Sequence, residues 1–162
     1  MPPPNLDAID RRILRELMQD GRLTNVALAQ RAGITPPPCL RRVRALEEAG
    51  YITGYHAAVD ERRIGFPVTV FVSVALHKQS DGDLRAFENA CLTWPLVREC
   101  YMISGEADYH LRCVAPDLET FEQFLRNTLS ATPNVASVKT QVTIRPTKRE
   151  AGVPLEVARP AR

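Results

Sequence analysis

The sequence predicts an α+β fold in two domains. An N-terminal (winged) helix-turn-helix domain is expected over residues 1–60, and a C-terminal ferredoxin-like βαββαβ domain over 68–148. A linker at 61–67 joins them and a tail follows at 149–162. Three observations lead there. Apolar residues recur at helical spacing through the first fifty positions. The stretch from Gly21 to Leu46 holds five arginines and no acidic residue. After Pro67, β-branched runs alternate with amphipathic segments in the order β-α-β-β-α-β, the split unit of ferredoxin-like sheets. A chain of 162 residues, 44% of them hydrophobic, has the length and apolar content for two small cores but no more.

Pro2 to Pro4 read as an extended lead-in that frays. Leu6, Ile9, Ile13, Leu14 and Leu17 then mark the inner face of a first helix, with Asp7 and Asp10 near the positive end of its dipole and Asp20-Gly21 as its stop. Thr24 or Asn25 caps a second, short helix whose inner face is Leu28, Ala29 and Ala32, ending at Gly33. A third helix, capped by Thr35, runs to Ala49-Gly50 with Leu40, Val43 and Leu46 inward. Three successive prolines push its expected start to Pro37 or Pro38. They read equally as a stiff entry onto DNA and as a plain helix start. The extended stretch Tyr51 to Val59 suits a small wing.

Ala29 and Gly33 fit a helix-turn-helix, because a small residue lets two helices cross closely and glycine accepts the positive φ of the turn. Arg41, Arg42 and Arg44 then splay away from the buried stripe. A helix offering guanidinium groups from its N-terminal half suits the major groove, where arginine pairs with guanine and with phosphates. The plainer alternative is three solvated arginines. Residues 61–162, with 13 basic and 12 acidic side chains, carry no comparable bias.

In the second domain Val68 to Leu76 is a strong strand. Ser80 to Asp83 caps a helix with Leu84, Phe87, Ala90 and Cys91 inside, ended by Trp94-Pro95. Val97 to Ser104 and Tyr109 to Ala115 form a hairpin about Gly105-Glu106-Ala107-Asp108. Asp117 caps a helix lined by Phe121, Phe124, Leu125 and Leu129, and Pro133-Asn134 turns into a last strand at about Val138 to Ile144. Both helices lie on one sheet face, so the other needs cover, most simply from a second copy of the chain.

Disulfide scaffolds, membrane spans and zinc sites are excluded. No apolar run nears the roughly 18 to 20 residues that cross a bilayer, and the N-terminus carries no secretion signal. Cys39, Cys91, Cys100 and Cys113 stand 52, 9 and 13 apart, which is not a zinc-ligand pattern, and His56, His77 and His110 are scattered. No metal or cofactor is expected. Cys91 and Cys100 read as small core residues and Cys113 as a strand residue. Cys39 falls in the third helix, where oxidation would interfere with DNA. His110 either lines a pocket or serves the strand.

Several segments resemble the Lrp/AsnC (feast/famine) family of prokaryotic transcription regulators. They are Leu6-Asp7-x-x-Asp10-x-x-Ile13-Leu14, Asp20-Gly21-Arg22, Cys39-Leu40-Arg41-Arg42-Val43, Leu46-Glu47-x-x-Gly50-x-Ile52-x-Gly54-Tyr55 and Gly105-x-x-Asp108-Tyr109. The likeness spans residues 6 to 148. It implies a cytoplasmic, nucleoid-associated DNA-binding regulator, not an enzyme, with double-stranded DNA as partner. It also implies homodimers that assemble into tetramers or octamers, and an amino-acid effector held between subunits. The DNA contacts expected are Arg22, Thr24, Asn25, Thr35, Pro36, Pro37, Pro38, Arg41, Arg42 and Arg44. The effector contacts the resemblance implies are Ser104, Gly105, Glu106, Ala107 and Asp108, facing Thr140, Gln141 and Thr143 of a neighbouring subunit. A glycine turn offers backbone N–H groups to an α-carboxylate and Asp108 a partner for an α-ammonium. The same loop read by itself is an ordinary hairpin turn. The family often shows Ser-Pro and a further hydroxyl residue where this chain has Thr35 and three prolines, so operator preference does not carry over. Two rivals stand beside the regulator: a small enzyme on a ferredoxin-like sheet, for which no nucleophile elbow, phosphate loop or carboxylate pair is found, and a metabolite-sensing or assembly module without specific DNA binding.

Overall fold

The computed structural model describes residues 6–157, so the Pro2–Pro4 lead-in lies outside the described residues. The chain divides into two compact units, 6–58 with 148–157 and 59–147. Among the described residues no helix is long and apolar enough to cross a membrane.

The first unit is a trihelical core. Helix α1 (Ala8–Gln19) opens on a capping box: the Asp7 carboxylate accepts the N–H groups of Ile9 and Asp10, and that of Asp10 accepts the N–H of Asp7. Helix α2 (Asn25–Ala32) starts at the Thr24 hydroxyl and ends at Gly33, whose φ of 75° is the left-handed turn that glycine makes without strain. Helix α3 (Pro36–Glu48) begins at the first proline rather than the second or third, because a first-turn residue has no intrahelical acceptor to bond. Ile13, Ala29 and Cys39 are fully buried at the centre.

The inward stripe of α3 differs from expectation. Leu40 is 40% exposed and Val43 half-buried, whereas Cys39 and Leu46 are buried. Positions 39, 43 and 46 stay on one side of a helix, while the spacing 40, 43, 46 drifts steadily around it. Tyr51 and Ile52 pack against this core, but 53–58 are exposed and, among the described residues, the unit contains no strand, so the expected wing is an extended segment without a ladder. Leu155, in the stretch expected as a tail, also packs on this core.

The second unit is a four-stranded antiparallel sheet in the order β2-β3-β1-β4. Its elements are β1 (Val68–Leu76), α4 (Asp81–Leu92), β2 (Val97–Met102), β3 (Tyr109–Ala115), α5 (Leu118–Phe124) and β4 (Val135–Val142). Beyond α5 the chain widens into a π-helical turn at Leu125–Leu129. Alternate residues of β1 (Val70, Val72, Val74, Leu76) and β3 (Tyr109, Leu111, Cys113) pack under Phe87, Trp94, Phe121 and Leu129. β4 starts and stops earlier than expected because Asn134, at φ 71°, makes the turn directly before Val135, which then pairs with Leu76. Cys100, expected in the core, is exposed on the edge strand β2. The segment 61–67, expected as a linker, belongs to this unit, as do Val59 and Asp60, expected in the first domain: Glu61 bonds Arg112 of β3 at 3.1 Å.

Candidate functional site

Two regions gather the candidate residues, one in each unit. In the first, the arginines of the acid-free stretch have different fates. Arg42 turns back to α1, its guanidinium 2.7 Å from both Asp7 Oδ2 and Asp10 Oδ1. The hydrogen bonds it donates to Asp10 and Asp7 raise its pKa above the ordinary value. The Asp10 N–H, with help from Arg42, holds the Asp7 carboxyl below the usual range. Arg31 bonds Glu16 at 3.1 Å. Arg22, Arg41 and Arg44 are exposed and paired with no carboxylate among the described residues. Positions 37, 41 and 44 share one face of α3, so Pro37, Arg41 and Arg44 present a common surface.

The remaining candidates frame that surface. Asn25 donates from Nδ2 to the Pro36 carbonyl at 2.8 Å, tying the start of α2 to the entry of α3. Thr24 is occupied as a cap, at 3.2 Å from the Ala27 N–H, while Thr35 caps without a side-chain bond and is exposed. Pro36 and Pro38 are half-buried. Cys39, expected in the third helix as a point where oxidation would interfere with DNA, points into the core instead, where burial pushes its thiol up.

In the second unit, the open sheet face carries a cavity of about 300 Å³ lined by Ser73, Ala75, Ile103, Glu106, Ala107, Ser137 and Lys139. Register explains the set: Ser73 pairs with Lys139 and Ala75 with Ser137, all on the face away from the helices, under the loop after β2. Glu106 and Lys139 form an exposed ion pair at 3.3 Å on its rim. Ser104 and Gly105 are exposed in the loop. Asp108 is tied into the sheet: Oδ2 accepts the Leu76 N–H at 2.7 Å and its own N–H donates to Val74 O at 2.9 Å. Thr140, Gln141 and Thr143 do not line this cavity. Thr140 pairs with Val72 on the helix side, Gln141 with Phe71 on the open side, and the Thr143 hydroxyl is buried without a hydrogen-bond partner among the described residues.

The rest of the open face is mixed. His110 stacks on Phe71 at 5.6 Å and bonds Ser73 Oγ at 3.3 Å through Nδ1. Arg112, 16% exposed, lies between Glu99 and Glu61 at 2.6 and 3.1 Å. Burial works against its charge, but the two carboxylates outweigh it and raise its pKa. Tyr101 is 55% exposed beside them.

This arrangement is matched elsewhere. Residues 6–53 match a winged helix-turn-helix DNA-binding domain, and residues 69–153 match the Lrp/AsnC ligand binding domain. A leucine-responsive regulatory protein of Rhizobium meliloti (strain 1021) is 54% identical over 143 residues, covering 88% of this chain and 92% of that one. The chain belongs to the Lrp/AsnC family. Another relative, the Bkd operon transcriptional regulator of Pseudomonas aeruginosa, is 45% identical over 93% of this chain and 98% of its own. A transcriptional regulator of Neisseria meningitidis, solved as its L-Met complex, superposes with a TM-score of 0.88 at 33% identity, covering 93% of this chain and 97% of that one.

For this Lrp/AsnC protein, sequence reasoning missed Ser73, Ala75, Ile103, Ser137 and Lys139 as cavity-lining residues. A signal was available for two of them. Ser137 and Lys139 precede Gln141 by even steps in a strand, and even steps share a face.

Proposed function

We propose that this chain is a sequence-specific DNA-binding transcriptional regulator whose second domain dimerises and answers to an amino acid or a closely related metabolite. The observation that carries the reading is the division among the arginines. Two are spent on carboxylates of the same unit, Arg31 fastening α2 to α1 and Arg42 fastening α3 to α1, while Arg41 and Arg44 share an outward surface with no such partner among the described residues. A charged surface held by a rigid frame suits a phosphate backbone and groove edges. The stiff proline entry presents it.

The cavity on the sheet supports the effector. Among the described residues Lys139 and Glu106 pair only with each other across its rim, in solvent, where such a pair contributes little. An α-amino acid carries the complementary two charges. Its carboxylate would take the Lys139 ammonium and the loop N–H groups beside Gly105, where no atom stands within 4 Å of the missing side chain. Its ammonium would take Glu106. The Neisseria relative was solved with L-Met. A second copy covering the open face closes the cavity and brings Gln141 and Thr143 of the neighbour into play, whereas Thr140, on the helix side, stays out of it. Effector binding at that face then alters how dimers associate and how their α3 helices are spaced, with assembly to tetramers or octamers by the same contacts. Working beside DNA places the protein in the cytoplasm, on the nucleoid.

A DNA titration at about 0.15 M salt tests this, because non-specific phosphate binding weakens steeply with salt. The probes are the DNA upstream of the chain's own gene and a scrambled fragment, each with and without a mixture of the common amino acids. Preferential binding that the mixture alters supports the reading. Equal, salt-labile binding to both fragments removes sequence specificity, and absence of binding favours a metabolite-sensing module.

A further inference from the structure

A second cavity, of about 490 Å³, lies on the helix side of the sheet between α4 and the edge strand β2, and both Cys91 and Cys100 line it. Cys91 is buried on the inner face of α4, which it shares with Phe87, whereas Cys100 is exposed on β2. The β2–β3 register sets Cys100 opposite Leu111, which is buried on the helix-covered face, so Cys100 points toward α4. From these placements we propose that Cys91 and Cys100 form a peroxide-oxidised dithiol, a modification site that closes reversibly into an intrachain disulfide.

The two thiols have opposite characters. The Cys91 side chain, hydrogen-bonded to Cys100, holds the Cys100 thiol below its ordinary value, and the same contact together with burial raises that of Cys91. Thiolate is the nucleophilic form, and a low, accessible thiol beside a resolving cysteine is the arrangement that hydroperoxides oxidise selectively. The other two cysteines lack these properties: Cys39 is buried in the first unit, and burial pushes Cys113 up to about 12.

The chemistry has two steps. The Cys100 thiolate attacks a hydroperoxide, an S–O bond forms as the O–O bond breaks, and the departing alkoxide or hydroxide takes up a proton. The Cys91 sulfur then attacks the Cys100 sulfenic acid, the S–S bond forms, and the oxygen leaves with the Cys91 proton as water. Two thiols and one hydroperoxide give one disulfide, one alcohol (or water) and one water. Closing the bond needs the sulfurs to approach to about 2.05 Å. The edge strand has room for that, since β2 pairs on one side only and its register is irregular between Val97 and Glu99.

Peptide mapping reads the result on the full-length protein. Trypsin cuts after Arg98, between the two cysteines, so Cys91 and Cys100 fall in peptides 86–98 and 99–112, while Cys39 and Cys113 fall in others. The native protein is treated with hydrogen peroxide, blocked with iodoacetamide and digested. The expected product is a linked pair of those two peptides, lighter by two hydrogen atoms than their sum and separated by dithiothreitol. In Cys100→Ser the link is lost and Cys91 stays a thiol. In Cys91→Ala, Cys100 is trapped as a dimedone adduct, and because Cys100→Ser changes an exposed residue, it tests the pair even if Cys91→Ala fails to fold. Oxidation of wild-type Cys100 beyond sulfenic acid without the link overturns the proposal. So does a link to another cysteine or to a second chain, or an unreacted Cys100.

Discussion

Arg42 of α3 reaches Asp10 of α1 at 2.7 Å, so the helix bearing the exposed arginines is fastened by one of its own arginines. Asp10 also closes the capping box of α1, and the Asp7 carboxylate joins the same guanidinium. One charge cluster thereby sets both where α1 starts and how α3 lies against it.

Two neighbouring arginines should therefore fail differently. Arg42→Ala costs the first unit about 1 kcal/mol, a figure kept small because the pair is partly solvated. It should lower the urea midpoint and weaken DNA binding only through that loss. Arg41→Ala with Arg44→Ala should leave the urea midpoint unchanged, abolish preferential DNA binding and flatten its salt dependence by roughly one power of salt concentration per lost phosphate contact. If the double variant binds as wild type does, α3 is not the reading helix.

Asp108 makes a second contrast. Read as a turn carboxylate, its removal should leave the fold intact. The structure gives it the Leu76 N–H instead, at the end of the central strand β1. Asp108→Ala leaves that donor without its acceptor, at a cost of about 1–3 kcal/mol. Thermal unfolding should show the loss without any ligand present, and Asp108→Asn, which keeps an acceptor oxygen, should recover most of it.

Much of this molecule was legible because its signals are local. The bounds of β1 and β3 and the Gly33 turn follow from side chains adjacent in sequence, while the caps were legible only as Thr24 or Asn25 and as the stretch from Ser80 to Asp83, which the structure narrows to Thr24 and Ser80. What escaped was relational. That Arg42 is spent and Arg41 is not depends on how α1 crosses α3, which periodicity does not encode. Lys139 joins Ser73 in the cavity through a strand register fixed far away at Asn134. Leu40 was misplaced because a stripe stepping by threes looks apolar in sequence yet rotates off the core on a real helix.

The capping box predicts acid sensitivity with a definite sign. Asp7 is held below its ordinary value of 3.8 in the folded chain. Its contribution is complete above that value and is lost as pH falls toward and through the folded one. Wild type should exceed Asp7→Asn in urea midpoint at about pH 6, and the gap should narrow steadily as pH falls below 3.8. A gap that persists in acid would show that the aspartate acts by shape rather than by charge.

The open sheet face yields the last test, because a covered face and a solvated one answer a buried charge differently. Phe71 sits at its centre, stacked on His110 and paired with Gln141. In a solvated monomer, Phe71→Asp would trade a half-buried ring for a hydrated carboxylate with little consequence for assembly. Under a second copy the same carboxylate is desolvated without a partner. Arg112, the nearest strong cation on the face, is already engaged by Glu99 and Glu61. An unpaired buried charge costs several kcal/mol, so a dimer should weaken by roughly 100-fold or more. Sedimentation velocity across a concentration series measures this directly. A dimer as tight as wild type would place the subunit contact elsewhere, and the effector cavity would then be closed by something other than a second sheet.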